Sequence, residues 1–473
     1  MNDPNGLVFH KGLYHLYFQH NPHGRHHANM SWGHATSPDL VHWTEHEVAI
    51  LHDDAGAIFS GSVVVDEANT SGLGRPGEPA MVAIYTLVTP GRQAQALAFS
   101  LDDGYTWTKY EGNPVLDRGS ADFRDPKVFR FIGDNESYWV MVAVEARERQ
   151  VLFYRSDDLL RWSYLSSYGP AGAVGGVWEC PDLFPLPLDG DVGDRRWVLL
   201  ISLSPGAVAG GSGTQYVVGH FDGTVFSPDE PRPALAWHSE GGYPVQSREE
   251  LEEFCWLDHG RDCYAGVTFS GLPETERVLV AWMSNWDYAR EIPTAPWRGA
   301  MTLARRLELV TQGGRRVLRQ IPVTGSDLRP VDVPTRLPLG LAIAAAGVLD
   351  LQARLEPGAR LAIRLGDGLT EGAEIILDGV TGTVLCTRHA APEADMPAGF
   401  HGTQYMGDVP RGRSWSLRIC FDAGSVEVFA ADGTRVLTDL VWFRDGARSL
   451  TMEAPAGGVV VEELRLSEVD ERV

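Results

Sequence analysis

A chain of 473 residues with 44% hydrophobic and 22% charged residues has the composition of an ordinary globular protein with room for more than one core. A formal charge of −23 leaves no basic stripe for nucleic acid and is repelled by an anionic membrane surface, whereas a neutral substrate is compatible with it. No stretch approaches the ~20 apolar residues that a spanning helix needs, and the apolar run at 339–349 is too short.

Met1 leads directly into Asn2, Asp3, Pro4, Asn5 and Gly6 with no charged segment and no apolar signal region. The expectation is a cytoplasmic protein if the chain is complete, and a secreted one if an upstream signal segment is missing. Chain termini fray unless tied down, so Asp3 is expected to be poorly held.

From there the chain reads as strands almost throughout. β-rich runs such as 13–18, 62–65, 128–131 and 197–201 are separated by clusters of Gly, Pro, Asp and Asn, and 248–254 supports at best one or two helical turns. A weak repeat recurs every 55 to 64 residues: Trp43, Trp107, Trp162 and Phe226 each follow an Asp four positions earlier, at Asp39, Asp103, Asp158 and Asp222. A repeating all-β unit of this size predicts propeller blades of four strands. The units open at Asp3, Ser60, Asp125, just after Glu179, and at Asp258, which gives five blades. The first strand of each blade lines the central channel, so Asp3, Asp125 and Glu179 should converge at one end of it.

The propeller is expected over 1–312. A Gly-, Pro- and charge-rich segment at 313–339 reads as a linker. Strictly alternating strands over 340–473 predict a β-sandwich, with a two-residue turn at Asp432-Gly433. Five cysteines with no CxxC pair suggest buried free thiols, a Cys255–Cys263 bridge being the alternative.

Three converging carboxyl groups suit glycosidic hydrolysis, which needs one ionised carboxylate and one that carries a proton. The Asp-Pro-Asn-Gly context of Asp3 allows a tight turn to aim backbone N–H groups at its carboxylate, favouring the charged form and the role of nucleophile. Glu179, between Trp178 and Cys180, is expected in an apolar setting that suits an acid. Asp125 is left to stabilise the sugar. Arg124 need not pair with it, since strand neighbours face opposite sides. Taken singly, each Asp is a turn residue, Trp32 and Trp286 are core aromatics, and Gln19 and Ser60 are ordinary strand and turn residues. His20, His23, His26, His27 and His34 fit no zinc spacing and read as a solvated loop, so no metal is expected.

Asn2-Asp3-Pro4-Asn5-Gly6, the FQHNP, MSWGHA and FSGS segments, FRDPKVF around Asp125 and WECPDLF around Glu179 resemble, in this order, glycoside hydrolase family 32, the invertases, inulinases and levanases. The segment from Met283 to Leu309 looks like the exo-inulinase and levanase branch, and the match covers nearly the whole chain. The resemblance implies Asp3 as the nucleophile forming a covalent fructosyl-enzyme, Asp125 as transition-state stabiliser and Glu179 as general acid/base. It implies that Asn2, Gln19, Trp32, Ser60 and Arg124 hold the fructose ring, that Trp286 forms an aromatic wall, and that Asp258 is a further substrate contact. The implied activity is exo-release of fructose from levan, inulin or sucrose by a monomer or homodimer without cofactor or metal. A fructosyltransferase with the same acids and a non-catalytic fructan-binding protein are the alternatives.

Overall fold

The structure, a computed structural model, describes residues 1–133, 135–230, 242–366, 370–391, 394–407, 414–443 and 448–469. The last four residues of the expected sandwich, 470–473, lie outside the described residues. The fold is all-β, as expected: an N-terminal five-bladed propeller and a C-terminal β-sandwich. The expected helical turns at 248–254 form the short helix Arg248–Glu252, opened by a Ser247–Glu250 capping box.

Two compact units divide the chain: Met1–Trp256, Tyr264–Trp282 and Pro296–Val317 form one, and Leu257–Cys263, Met283–Ala295 and Leu318–Val473 the other. In the first, each blade is an antiparallel sheet. Blade 1 comprises Pro4–His10, Leu13–His20, Ser31–Ser37 and Thr44–Ile50; blade 2 comprises Ala57–Val65, Met81–Thr89, Arg92–Ser100 and Thr108–Lys109. Blade 3 comprises Phe123–Ile132, Ser137–Glu145, Gln150–Ser156 and Ser163–Tyr168; blade 4 comprises Val177–Leu188, Asp191–Ser204, Gly213–Phe221 and Phe226–Pro228. Blade 5 is built on Tyr264–Thr268, Val278–Met283 and Arg305–Gln312. The five opening strands pack side by side in a closed ring, and apolar cores such as that of Val64, Ile84, Val128 and Met141 fill the spaces between blades. Blade 5 therefore opens at Tyr264, six residues later than the Asp258 expected from the sequence.

The aromatic repeat has a physical cause. Between the third and fourth strands of blades 1 and 3, an Asp carboxylate (Asp39, Asp158) accepts two backbone N–H bonds from the turn, and the following Trp (Trp43, Trp162) donates its indole N–H to a turn carbonyl. Asp222 does the same for Thr224 and Val225 in blade 4. In blade 2 the turn is one residue longer. Asp102, and not Asp103, takes the turn amide of Thr106, while Asp103 binds Lys11 and His10.

In the second unit, one six-stranded sheet runs Leu328–Val331, Val459–Val469, Gly347–Leu355, Ser414–Asp422, Ser425–Ala430, Arg435–Leu440. The other runs Leu339–Ile343, Arg448–Glu453, Arg360–Gly366, Gly372–Asp378, Thr383–His389, Gly402–Met406. Alternating residues of both, among them Leu349, Leu351, Ile363, Ile375 and Leu417, share one apolar core. The 313–339 segment is not a linker. It contains the strands Arg315–Pro322 and Leu328–Val331, the first sandwich sheet takes in the second of them, and the division between units falls inside the first. The expected two-residue turn is a four-residue loop, Ala430 pairing with Arg435, with Ala431, Asp432 and Gly433 all at positive φ. All five cysteines are free.

Candidate active site

Every opening strand of the propeller slips register near its start. The shifts lie at Asn5/Val8 in blade 1, Ile58/Gly61 in blade 2, opposite Val142/Val144 in blade 3, Glu179/Asp182 in blade 4 and Tyr264/Val267 in blade 5. Four of these bulges hold a residue at positive φ: Gly6 (53°), Asp125 (62°), Cys180 (45°) and Ala265 (54°). At Gly6 a side chain is also sterically excluded, because a Cβ would lie 2.8 Å from both Tyr17 and Val63. For three non-glycine residues the left-handed conformation is strained, and bulges of this kind re-aim side chains next to active sites.

The bulge overrides strand alternation. Arg124 and Asp125, adjacent in the chain, face the same cluster: Arg124 lies 4.0 Å from Asp125 Oδ2 and 3.1 Å from Glu179 Oε1. The expectation that strand geometry separates them fails for this reason. Arg124 also donates to Gln93 (3.3 Å). The Cys180 backbone N–H donates to Asp125 Oδ2 at 2.9 Å, and the Cys180 sulfur stands 3.7 Å from both Asp125 Oδ2 and Asp3 Oδ2. Asp3 accepts from the Asn2 amide (3.3 Å) and the Ser60 hydroxyl (3.2 Å). The three carboxylates thus meet around one thiol and one guanidinium.

Asp3 is firmly held. The Met1 nitrogen donates to Arg298 O (2.7 Å), Asn2 N to Gln19 O (3.1 Å) and Gln19 N to Asp3 O (3.0 Å). The expected fraying is absent because this segment pairs with its neighbours.

The electrostatics differ from the reading of the sequence. Burial pushes the Asp3 carboxyl up to about 6, the charge of Glu179 adds to this, and hydrogen bonds from Asn2 and Ser60 oppose it. The turn after Asp3 does not keep it ionised. Its polar capacity is used elsewhere, Asn5 donating to the Asp3 carbonyl. Burial also raises Asp125, against the adjacent guanidinium. Glu179 does not sit in an apolar pocket: the Trp178 indole is in the blade core, bonded to Ala173 O, while the Glu179 carboxylate receives Arg124 and the hydroxyl of Tyr264.

Tyr264, fully buried at the start of blade 5, is the residue that sequence reasoning missed. Placing the fifth opening strand at Asp258 hid it. The bulge at Ala265, one position on, has no glycine to signal it.

The other expected residues divide. Gln19 is buried and its Nε2 has no hydrogen-bond partner among the described residues, the condition of a donor available to a ligand. Trp32 was expected to hold the sugar directly, but it is fully buried and donates to Phe59 O (3.0 Å), so it fixes the backbone that carries Ser60. Trp286 belongs to the second unit, half-buried, with the Arg290 guanidinium 5.8 Å from its ring centre. Asp258, also in the second unit, is buried and bonded to Gly260 N, Thr438 N and Thr438 Oγ1 at 2.7–2.8 Å, and its carboxylate is committed to that unit's fold. Of the histidines expected in a solvated loop, His23, His26 and His27 are exposed. His34 is instead fully buried, stacked on Tyr17 and bonded to His15 Nδ1 at 3.1 Å.

The propeller thus gathers carboxylates from three blades, with an arginine between Asp125 and Glu179 and a tyrosine hydroxyl on Glu179, an arrangement that could support acid–base chemistry. The chain belongs to the glycosyl hydrolases of family 32: that family's N-terminal domain description matches residues 1–322 and its C-terminal one residues 336–468. It is 39% identical to a levanase of Bacillus subtilis over 98% of this chain and 68% of that protein. It is 44% identical to an extracellular exo-inulinase of Aspergillus niger over 68% of this chain and 62% of that protein. The crystal structure of exo-inulinase from Aspergillus awamori superposes with a TM-score of 0.89 at 35% identity, covering 99% of this chain and 96% of that one.

Proposed function

We propose that this glycoside hydrolase is an exo-acting, retaining β-fructosidase that releases terminal β-D-fructofuranosyl residues from levan, inulin and sucrose. The observation that carries the reading is the meeting of Asp3, Asp125 and Glu179 around Cys180 and Arg124. In the first step an Asp3 oxygen attacks the anomeric carbon as its bond to the leaving oxygen breaks, and Glu179 gives that oxygen its proton. In the second, Glu179 takes a proton from water, the water oxygen bonds to the anomeric carbon, and the Asp3 ester bond breaks. Asp125 accepts hydrogen bonds from hydroxyls of the sugar, and Asn2, Gln19, Ser60 and Arg124 hold the ring.

Attack needs the ionised form of Asp3, and because burial and the charge of Glu179 raise this carboxyl to about 6, that form prevails only above about that pH. The extracellular exo-inulinase among the relatives supports a secreted setting, where fructan polymers are met.

The test is incubation with levan, inulin and sucrose followed by product chromatography. Free fructose released one unit at a time, with no oligomeric or anhydride products and none from Glu179→Gln, is the expected outcome. Transfer products would favour the fructosyltransferase. Binding without turnover would favour a fructan-binding protein.

A further inference from the structure

Below the carboxylates the opening strands are joined by buried polar groups outside the expected substrate contacts. Lys127 lies two residues past Asp125 on blade 3, and Asp182 two past Cys180 on blade 4; Thr268 ends the opening strand of blade 5. The three residues are 7%, 0% and 0% exposed. Lys127 Nζ stands 3.1 Å from Asp182 Oδ2 and donates to the Thr268 carbonyl. The same Oδ2 accepts from Thr268 N (2.6 Å) and Thr268 Oγ1 (2.8 Å). Three blades are tied at one carboxylate oxygen.

The place of this knot is informative. The bulge in blade 3 takes Asp125 out of the β-ladder, and that in blade 4 interrupts the ladder just after Glu179, which pairs with Ser202, so the ladder alone does not fix where Asp125 points or how Glu179 is tied to the strand beyond Cys180. Lys127 and Asp182 stand on the far side of both bulges. A cavity of about 10 Å³, room for about one water, is bounded by Ser60, Asp125, Lys127 and Cys180. Replacing a buried ion pair with apolar residues is often neutral or stabilising, so stability alone gives no reason for this one. Displacement of about 1 Å at a catalytic group costs about a hundredfold in rate.

We propose that Lys127, Asp182 and Thr268 are positioning residues that clamp the bulged strands of blades 3, 4 and 5 and so set the placement of Asp125 and Glu179. This rests on the catalytic roles given above.

Two variants test it. Thr268→Val is isosteric and removes one bond to Asp182; Lys127→Met with Asp182→Leu removes the pair and leaves Glu274 to offset the buried Arg277. Expected are a kcat lowered about threefold in the first and about tenfold or more in the second and KM within about twofold, with the melting temperature of Thr268→Val near that of the parent. Crystal structures should show the Asp125 or Glu179 carboxylate displaced by about 0.5 Å or more. Unmoved carboxylates in Thr268→Val together with an unchanged kcat overturn the proposal, whether or not the double variant folds. The catalytic reading fails separately: a parent that releases no fructose refutes it, while the crystal structures still decide whether the clamp positions the carboxylates.

Discussion

Two clusters in this molecule each gather three carboxylates, two of them beside one arginine, and we place the reaction at only one. In the propeller, Asp125 and Glu179 flank Arg124, and Asp3 lies beside Cys180 and under the charge of Glu179. In the second unit, Asp262 and Asp439 pair with Arg388 at 2.5 and 3.8 Å, Tyr288 donates to Asp262 at 2.6 Å, and Asp258 adds to the charge near Asp439. Burial raises Asp125 in the one and Asp439 in the other, so a perturbed carboxyl does not by itself distinguish site from strut. What differs is how the lone pairs are used. Asp258, Asp262 and Asp439 accept backbone N–H groups of Thr438, Leu440 and Arg261, and all are almost fully buried. Of the propeller acids, Asp125 is buried and accepts the Cys180 backbone N–H in the same way, but Asp3 is held mainly by side chains, and Glu179, whose side chain is 23% exposed, by side chains alone among the described residues. The ladders differ as well. Every opening strand of the propeller is bulged, whereas the sandwich pairings keep register except between Gly347–Leu355 and Val459–Val469.

The comparison breaks if the two clusters respond alike. Asp3→Asn should cut kcat by about 10⁴-fold and raise the melting temperature at pH 7. A carboxyl raised in the folded state contributes stability at low pH that is lost as the pH rises from about 3.8 through about 6, and the amide removes that loss. Arg388→Met should do the reverse, costing about 3–5 kcal/mol by leaving buried carboxylates uncompensated, with kcat of the folded fraction little changed; calorimetry and active-site titration read both. Asp258→Asn should cost about 1–3 kcal/mol in chemical denaturation and leave kcat/KM within about twofold, and a larger loss of kcat/KM would return Asp258 to the site. The third buried polar group, the His15–His34 stack, sharpens the contrast through pH. Burial lowers His15 to about 4 and His34 to about 3, so the unfolded chain takes up protons first as the pH falls below about 6.5. The melting temperature should drop by at least about 5 °C between pH 6.5 and 4, and the paired change His15→Phe, His34→Phe should flatten that slope. The smallest effect is expected from Asn2→Ala. Loss of its bond to Asp3 should move the acid limb of the kcat/KM profile, set near pH 6 by Asp3, upward by about half a pH unit.

The blade count, the all-β class and the convergence of Asp3, Asp125 and Glu179 followed from the sequence, because turn-capping aspartates and their aromatics leave a chemical signature at the outer edge of four blades. That signature is local, and a local pattern survives in a linear reading. The one-residue insertion that moves the cap from Asp103 to Asp102 and the start of blade 5 at Tyr264 left no such mark. Nor did the positive φ of Asp125, Cys180 and Ala265: a glycine announces a left-handed residue, but these are held there by surrounding structure. Which amides and side chains reach the oxygens of each buried carboxylate was likewise decided only in three dimensions, because those partners are distant in the chain. The sequence by itself determined that Asp3, Asp125 and Glu179 lie at the channel strands; the tertiary structure took Asp258 off them and decided which way each acid faces and what holds it there.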